Sequence, residues 1–468
     1  MPVVYAFGSN GSGQLGIGHT EDTARPEKCV FQPSSTRQVD DDQHATEAAV
    51  TMAQRYANVN VNKMVAGGNH TLLLTNDGRL FSAGKFGCRL GDKESTSIFV
   101  QRRFGSAQLG TTSVQAVPPS ASTPSTPQSV RTEDTQFPTG VGRITDIAAT
   151  WDASFIVVDH RTVFVCGTGS KGELGLGEGV ERAESMTKLF DVADFQPEPG
   201  RDATAGVADD DGKGDKKGHV CGGETPIQIL AIAACMAHAV LLLSNGHVVG
   251  WGNCRKGQLG ERVKDRKALW TPTTIAPGYG TPIVPLESCL AHTAVDQDAH
   301  GTERLPWNPE SVVMGRDYTV FLKTGEKPVI WGDMKFIDQG SKLLRRPLGV
   351  GDQLFSAWSS IHLYSPQQGS VQSTGRNDRG QLVPAGLPAI QALAAGSEHC
   401  VALTANNQVI AWGWGEHGNC GEELDEKGNV AERWNAIQMP RLDDERLMAK
   451  GVAAGCATSF VICGIKDG

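Results

Sequence analysis

No run in this 468-residue chain approaches the roughly 18 consecutive apolar residues that a membrane-spanning helix needs. The opening MPVVYAFGSNG also lacks the basic start and apolar stretch of a secretory leader. The expectation is a soluble protein without a targeting segment, in the cytoplasm and also the nucleus, with no membrane contact. Positive charge is in short supply: 43 Lys and Arg face 52 Asp and Glu, a net charge of −9, so nothing global draws the chain to nucleic acid. The 11 cysteines form an odd set without a C-x-x-C pair, and Cys166, Cys235 and Cys400 sit beside apolar, strand-like residues. They read as reduced structural thiols, not as a disulfide framework or zinc site. A G-x-S-x-G elbow is missing too, and no spacing of His, Ser and Asp sets a base beside a nucleophile. No catalytic residue, cofactor or metal is assigned, and no homo-oligomer is indicated.

Glycine is abundant instead, at 56 residues, about 12% against a usual share of roughly 7%. The excess follows from an internal repeat: a small-residue strand, a polar corner, an apolar strand, a turn and a Gly-rich ending. VAGGNHTLLLTNDGRLFSAGKFGCRLG, AACMAHAVLLLSNGHVVGWGNCRKGQLG and AAGSEHCVALTANNQVIAWGWGEHGNCG are its clearest copies. With corners at Gly67, Thr150, Cys235, Gly315, Ala357 and Gly396, a glycine stands 17 residues on in five copies (Gly84, Gly167, Gly252, Gly332, Gly413) and 18 on in the sixth, Gly375. Between corner and turn the runs TLLLT, AVLLL, TVFLK and CVALT are strand-like, and turns such as Asn76-Asp77-Gly78 close hairpins.

A seventh copy is cut in two. VAAGCATSFVIC at 452–463 supplies the corner and apolar strand, and residues 3–18 supply the missing half. Pairing the two halves leaves no blade with an open edge. The prediction is an all-β, seven-bladed β-propeller closed by N-terminal and C-terminal strands in one blade, with long inter-blade inserts. Residues 105–139, rich in Ser, Thr and Pro, and 197–223, charged and Gly-rich, read as disordered inserts within this single domain. The segment 261–308, with Trp270 and Trp307, reads as an ordered insert packed on the ring.

The G-x-x-H corner and the W-G-x-N-x-x-G-Q-L-G type of ending resemble the regulator of chromosome condensation repeat, a seven-bladed propeller family. Within it, the strings VYAFGSNGSGQLGIGHTED, GGNHTLLLTNDG, WSSIHLY, GSEHCVALTANN, WGWGEHGNCG and GCATSFVI are similar to one subgroup, the fungal α-tubulin suppressor or killer-toxin-insensitivity proteins. That resemblance implies a non-enzymatic partner, in a heterodimer, of the small CSL-type zinc-ribbon electron carrier. Through it the propeller would serve Elongator-dependent wobble-uridine modification of tRNA and the radical enzyme of diphthamide synthesis on elongation factor two. Guanine-nucleotide exchange on a Ran-like GTPase, the best-known activity in the repeat family, is the alternative. The net charge and the lack of a basic tail weigh against it.

Gly167-Thr168-Gly169-Ser170-Lys171-Gly172 satisfies G-x-G-x-x-G, but ELGLGEG follows where a phosphate cradle needs a helix, so it is a repeat turn. The corner histidines His70, His238 and His399 are expected to hydrogen-bond the backbone of a neighbouring blade. Residues that break the repeat are the candidates for partner binding. Trp151 and Trp358 stand one residue beyond their corners, where other copies carry Gly68, Met236, Arg316, Ser397 or Cys456. A large aromatic there can anchor a partner or cover an insert. Trp414, Glu416 and His417 offer area and polar contacts in the sixth ending, and Asn69, Glu398, Arg316 and Arg376 complete the candidate set.

Overall fold

The spaced glycines mark the points where each sheet needs a backbone that L side chains resist. Gly84, Gly167, Gly252, Gly332, Gly375 and Gly413, with Gly8 as the seventh, all have φ between +80° and +133°. A Cβ on any of them would strike the carbonyl oxygen of the last corner residue, for example Asn69, Asp152 or Glu398. The residue after each glycine uses that close approach. Ser9, Lys85, Thr168, Asn253, Asp333, Arg376 and Trp414 each donate a backbone N–H to the same corner carbonyl at 2.8–3.1 Å.

In the computed structural model the described residues are 2–32, 60–88, 95–102, 142–195, 226–280, 303–333, 335–338, 341–442 and 444–466. The segments read as inserts at 105–139 and 197–223 lie outside them. Seven sheets follow in chain order, with first strands Val61–Ala66, Ile144–Ala149, Ile229–Cys235, Ser311–Met314, Gln353–Ser356, Ile390–Ala395 and Leu447–Ala454; their strands pair antiparallel, apart from the parallel edge pairing of Phe31–Gln32 in the first sheet. We number the blades one to seven in that order. These strands pack on one another around the ring, the seventh on the first. Among the described residues no helix is long and apolar enough to cross a membrane.

Ring closure takes the predicted form. Val3–Gly8 pairs antiparallel with Thr458–Ile465, in register from Val3 opposite Cys463 to Gly8 opposite Thr458, and sits between that strand and Thr23–Lys28. The second strands, such as His70–Thr75, Ala153–Val158 and His238–Leu243, are buried along their whole length because both faces meet neighbouring blades. Each fully buried Leu or Phe there contributes about 1.5–3 kcal/mol.

Two departures from the expected layout are local. Ala268–Ala276, placed by sequence inside an insert, is the outer strand of the third blade, while Trp307 enters the core beside Phe321 and Trp331. The fourth and fifth blades have three strands each, and the short helix Lys342–Arg345 buries Leu343 and Leu344 against Leu354 and Leu363 of the fifth. Apolar spacing in 342–348 thus serves a helical turn.

Two of the corner histidines reach the neighbouring blade's backbone as expected, His238 at Tyr318 and His399 at Thr458, and each also meets a side chain there. His399 Nε2 shares a hydrogen bond with Ser459 Oγ at 2.9 Å, and His238 Nε2 with Thr319 Oγ1 at 3.4 Å. His70 finds no partner for either ring nitrogen among the described residues. Burial lowers the pKa of His70 and His399 to about 4 and of His238 to about 3, so all three are neutral.

Candidate functional site at the corner face

Antiparallel alternation puts two sets of loops at one end of the ring: the corners between first and second strands, and the loops leaving the third strands. All nine candidate residues lie on this face.

At its centre the corners are tied into a chain by backbone hydrogen bonds between blades. Gly68 donates to Trp151 O at 2.8 Å, Trp151 to Met236 O at 3.1 Å, Arg316 to Trp358 O at 3.1 Å, Trp358 to Ser397 O at 2.8 Å and Ser397 to Gly455 O at 3.0 Å. Both tryptophans are therefore held on two sides, and their rings meet over the axis with centroids 5.9 Å apart at 39°. Trp151 keeps 38% of its surface exposed. Its indole lies on Gly68, where even a methyl group would strike the ring.

Behind the pair lies the central channel, a cavity of about 390 Å³ lined by the first strands and corners, including Met64, Ala148, Cys235, Met314 and Cys456. Burial pushes the Cys235 thiol up to about 12 and the Cys456 thiol to about 11, so neither supplies a thiolate. Among the first strands Lys63 Nζ pairs with Asp146 at 2.6 Å, and Asp146 also accepts from Ile232 N at 3.1 Å. With the Ile147 N–H, which donates to Oδ1 at 2.8 Å, that carboxylate has three internal partners. Groups of three or more His, Cys, Asp and Glu side chains able to hold a metal are absent among the described residues.

Trp414, Glu416 and His417 form one cluster on the outer part of the face. Trp414 Nε1 donates to Glu416 Oε2 at 3.1 Å, its ring meets His417 edge-on at 5.2 Å, and His417 Nδ1 lies 2.9 Å from Asp22 Oδ2 of the seventh blade. The Arg379 guanidinium of the fifth blade sits 5.1 Å from the Trp414 ring centroid. Arg376 pairs with Asp378 and lies 5.3 Å from the ring of Phe336, which is 47% exposed and also flanked by Lys335. Arg316 is exposed and pairs with Asp317 at 3.2 Å.

Asn69 and Glu398 are framework residues here. Asn69 accepts from Ser12 Oγ and donates to Asp152 Oδ1, bridging three blades. Glu398 is buried and accepts from Ser359 Oγ at 2.9 Å and Gln381 Nε2 at 2.9 Å. Its carboxylate is directed into the ring. Gln381 itself, with Gln14 and Gln258, is the recurring glutamine of the endings. Each accepts the N–H two residues before it at 2.8–2.9 Å, a requirement of the fold alone.

Arg379, Asp22 and Phe336 are members of the face that sequence reading passed over. Phe336 carries the one available signal, a large aromatic in a third-strand loop, as Trp414 does. Arg379 and Asp22 reach the Trp414 cluster from other blades, which no spacing within one copy reveals.

Comparison with known proteins agrees with this architecture. The regulator of chromosome condensation (RCC1) repeat matches residues 61–88 and 390–419, in the first and sixth blades. An RCC1 repeat-containing protein of Schizosaccharomyces pombe is 25% identical over 98% of both chains. A secretion-regulating guanine nucleotide exchange factor of Bos taurus is 22% identical over 98% of this chain and 83% of its own. The ultraviolet-B receptor UVR8 of Arabidopsis thaliana is 30% identical over 51% of this chain; the match spans about half, 50%, of the receptor. Among solved structures, Prp20p of Saccharomyces cerevisiae superposes with a TM-score of 0.59 at 16% identity, covering 100% of this chain and 92% of that one. Repeat matches and fold converge on one description: this chain is a seven-bladed β-propeller whose first and sixth blades match the regulator of chromosome condensation repeat.

Proposed function

We propose that this propeller is a non-enzymatic binding protein whose corner face receives one protein partner, the small CSL-type zinc-ribbon electron carrier. The observation that carries a binding role is the Trp151–Trp358 contact. Two residues that no blade requires converge on the channel mouth, where a partly exposed aromatic pair offers a rigid anchor. The choice of partner rests on the subgroup strings, above all WGWGEHGNCG, which forms the Trp414, Glu416 and His417 cluster on the same face. In this reading the propeller acts through affinity and shielding, in the cytoplasm and nucleus. It supports Elongator-dependent tRNA modification and diphthamide synthesis through its partner.

A second reading is favoured by the relatives named as guanine nucleotide exchange factors, one of which aligns along nearly the whole chain. It makes the same face a docking site for a Ran-like GTPase. Titration calorimetry of the purified chain with a recombinant CSL zinc-ribbon protein, beside release of labelled GDP from a Ran-type GTPase, separates the two. Binding without nucleotide release supports the first reading. Accelerated release without zinc-ribbon binding replaces it with the second.

A further inference from the structure

We propose that the corner face is electrically polarised across the ring and docks the acidic edge of a protein partner over the third blade. The proposal takes from the reading above only that this face binds a protein.

The loop leaving the third strand of the third blade carries Arg255, Lys256, Arg262, Lys264, Arg266 and Lys267 against Glu261 and Asp265. All are exposed except the half-buried Lys264. Around it Glu303, Asp317, Asp333 and Asp338 stand against Arg304, Arg316 and Lys335, so the basic surplus persists. Three blades on, across the axis, the matching loop of the sixth blade carries Glu416, Glu422, Glu423, Asp425 and Glu426 against Lys427, all exposed. The seventh adds Glu21 and Asp22. Arg25 and Arg433 pair with Glu422 and Glu423 and offset only part of that charge.

The basic loop is held in shape from within. Gln258 Oε1 accepts the Lys256 N–H at 2.8 Å, Cys254 N–H donates to Lys267 O at 3.1 Å, and Glu261 N–H donates to Glu303 Oε2 at 2.8 Å. Its cations are therefore presented by fixed backbone, which lowers the ordering cost of meeting a partner. Lys256 is partly occupied by Asp333 at 3.4 Å and Lys264 by Glu261 at 2.8 Å, and Arg262 also has a partner.

The polarity selects among anions. A nucleic-acid strand carries charge along its whole length, so one laid across the face meets the acidic half. A compact protein with an acidic edge gains at the third blade and turns its remaining surface toward the sixth. Complementary potentials of this kind set orientation and association rate, and salt weakens them.

The test uses the full chain and two probes, a fluorescein-labelled peptide with a block of glutamates at one end and an uncharged tail, and a single-stranded oligonucleotide of equal length, followed by fluorescence anisotropy at low and physiological salt. The peptide should bind more tightly than the oligonucleotide. Arg255→Glu with Arg266→Glu should weaken it at least tenfold, whereas Lys323→Glu with Lys327→Glu, beside the turn on the opposite face, should leave it unchanged. Glu423→Lys with Glu426→Lys should admit the oligonucleotide. Thermal melts that match the parent establish that each variant is folded. Equal loss from both basic pairs, or an oligonucleotide that binds the parent as tightly as the peptide, overturns the proposal. If the zinc-ribbon protein fails to bind while the peptide follows this pattern, the partner assignment falls and the polarised face stands. If it binds at a rate indifferent to the third-blade reversals and the peptide does not bind, the reverse holds.

Discussion

Trp151 and Trp358, 207 positions apart in sequence, bring their rings to within 5.9 Å over the axis of the propeller, one from the second blade and one from the fifth. Each backbone is fixed by hydrogen bonds to neighbouring corners, so neither ring needs the other to keep its place. Two independently positioned indoles that meet at a channel mouth form a pre-organised surface, which reduces the entropy lost on binding.

Truncating the pair should separate binding from folding. Trp151→Ala and Trp358→Ala are expected to weaken the zinc-ribbon partner by more than about 1 kcal/mol each. The two rings should show a coupling of about 0.5–1.5 kcal/mol in a double-mutant cycle on stability. Calorimetric titration and chemical unfolding of the four proteins of the cycle measure both. Parent-like affinity in both single variants would remove this face from the binding site.

The spaced glycines predict a sharp contrast in tolerance. Gly413→Ala places a methyl group against the Glu398 carbonyl at φ +104° and should cost about 2–4 kcal/mol. Gly451→Ala, in a first strand with open space around the new methyl group, should stay within about 0.5 kcal/mol. Urea unfolding of the two variants gives both numbers.

These contrasts also explain what could be read in advance. The ring was legible because one steric demand recurs: only glycine fits beside the carbonyls of Asn69, Asp152 and their counterparts, and its spacing therefore survives in every copy. Closure was legible because residues 3–8 and 458–463 are complementary halves of a unit defined elsewhere in the chain. The site was legible as residues and not as contacts. Trp151 and Trp358 announced themselves by breaking the repeat, but a pattern written along one blade holds no information about the blade opposite. Glu398 looked like a free carboxylate at a corner, and its partners Ser359 and Gln381 come from the preceding blade. Arg379 over Trp414 is the same kind of cross-blade relation.

The buried histidines make stability fall on acidification. Burial holds His70, His238, His362 and His399 at about 3 to 4, below the ordinary value of 6.5. As pH drops below 6.5 the unfolded chain takes up protons that the folded chain refuses until about pH 4. Each such histidine then removes on the order of 3 kcal/mol across that window. His70 has no hydrogen-bond partner among the described residues, so His70→Phe should keep stability near that of the parent at pH 7. It should also flatten the loss between pH 6.5 and 4. Urea midpoints across that range test the slope, and an unchanged slope would mean that His70 charges freely in the folded ring.

The split blade makes the N-terminal strand a structural strap. Val4 and Phe7 are fully buried, and Val3–Gly8 supplies the partner for residues 458–463 of the last strand. Removing residues 1–8 would withdraw those side chains and expose one long edge of a strand that is otherwise paired on both sides. An open edge of that kind recruits another strand. Such a truncation should lower the thermal midpoint and form oligomers detectable by light scattering, and a synthetic peptide of residues 1–12 added in excess should restore the monomer. A truncated chain that stays monomeric with an unchanged melt would show that the other six blades hold the ring closed without the strap.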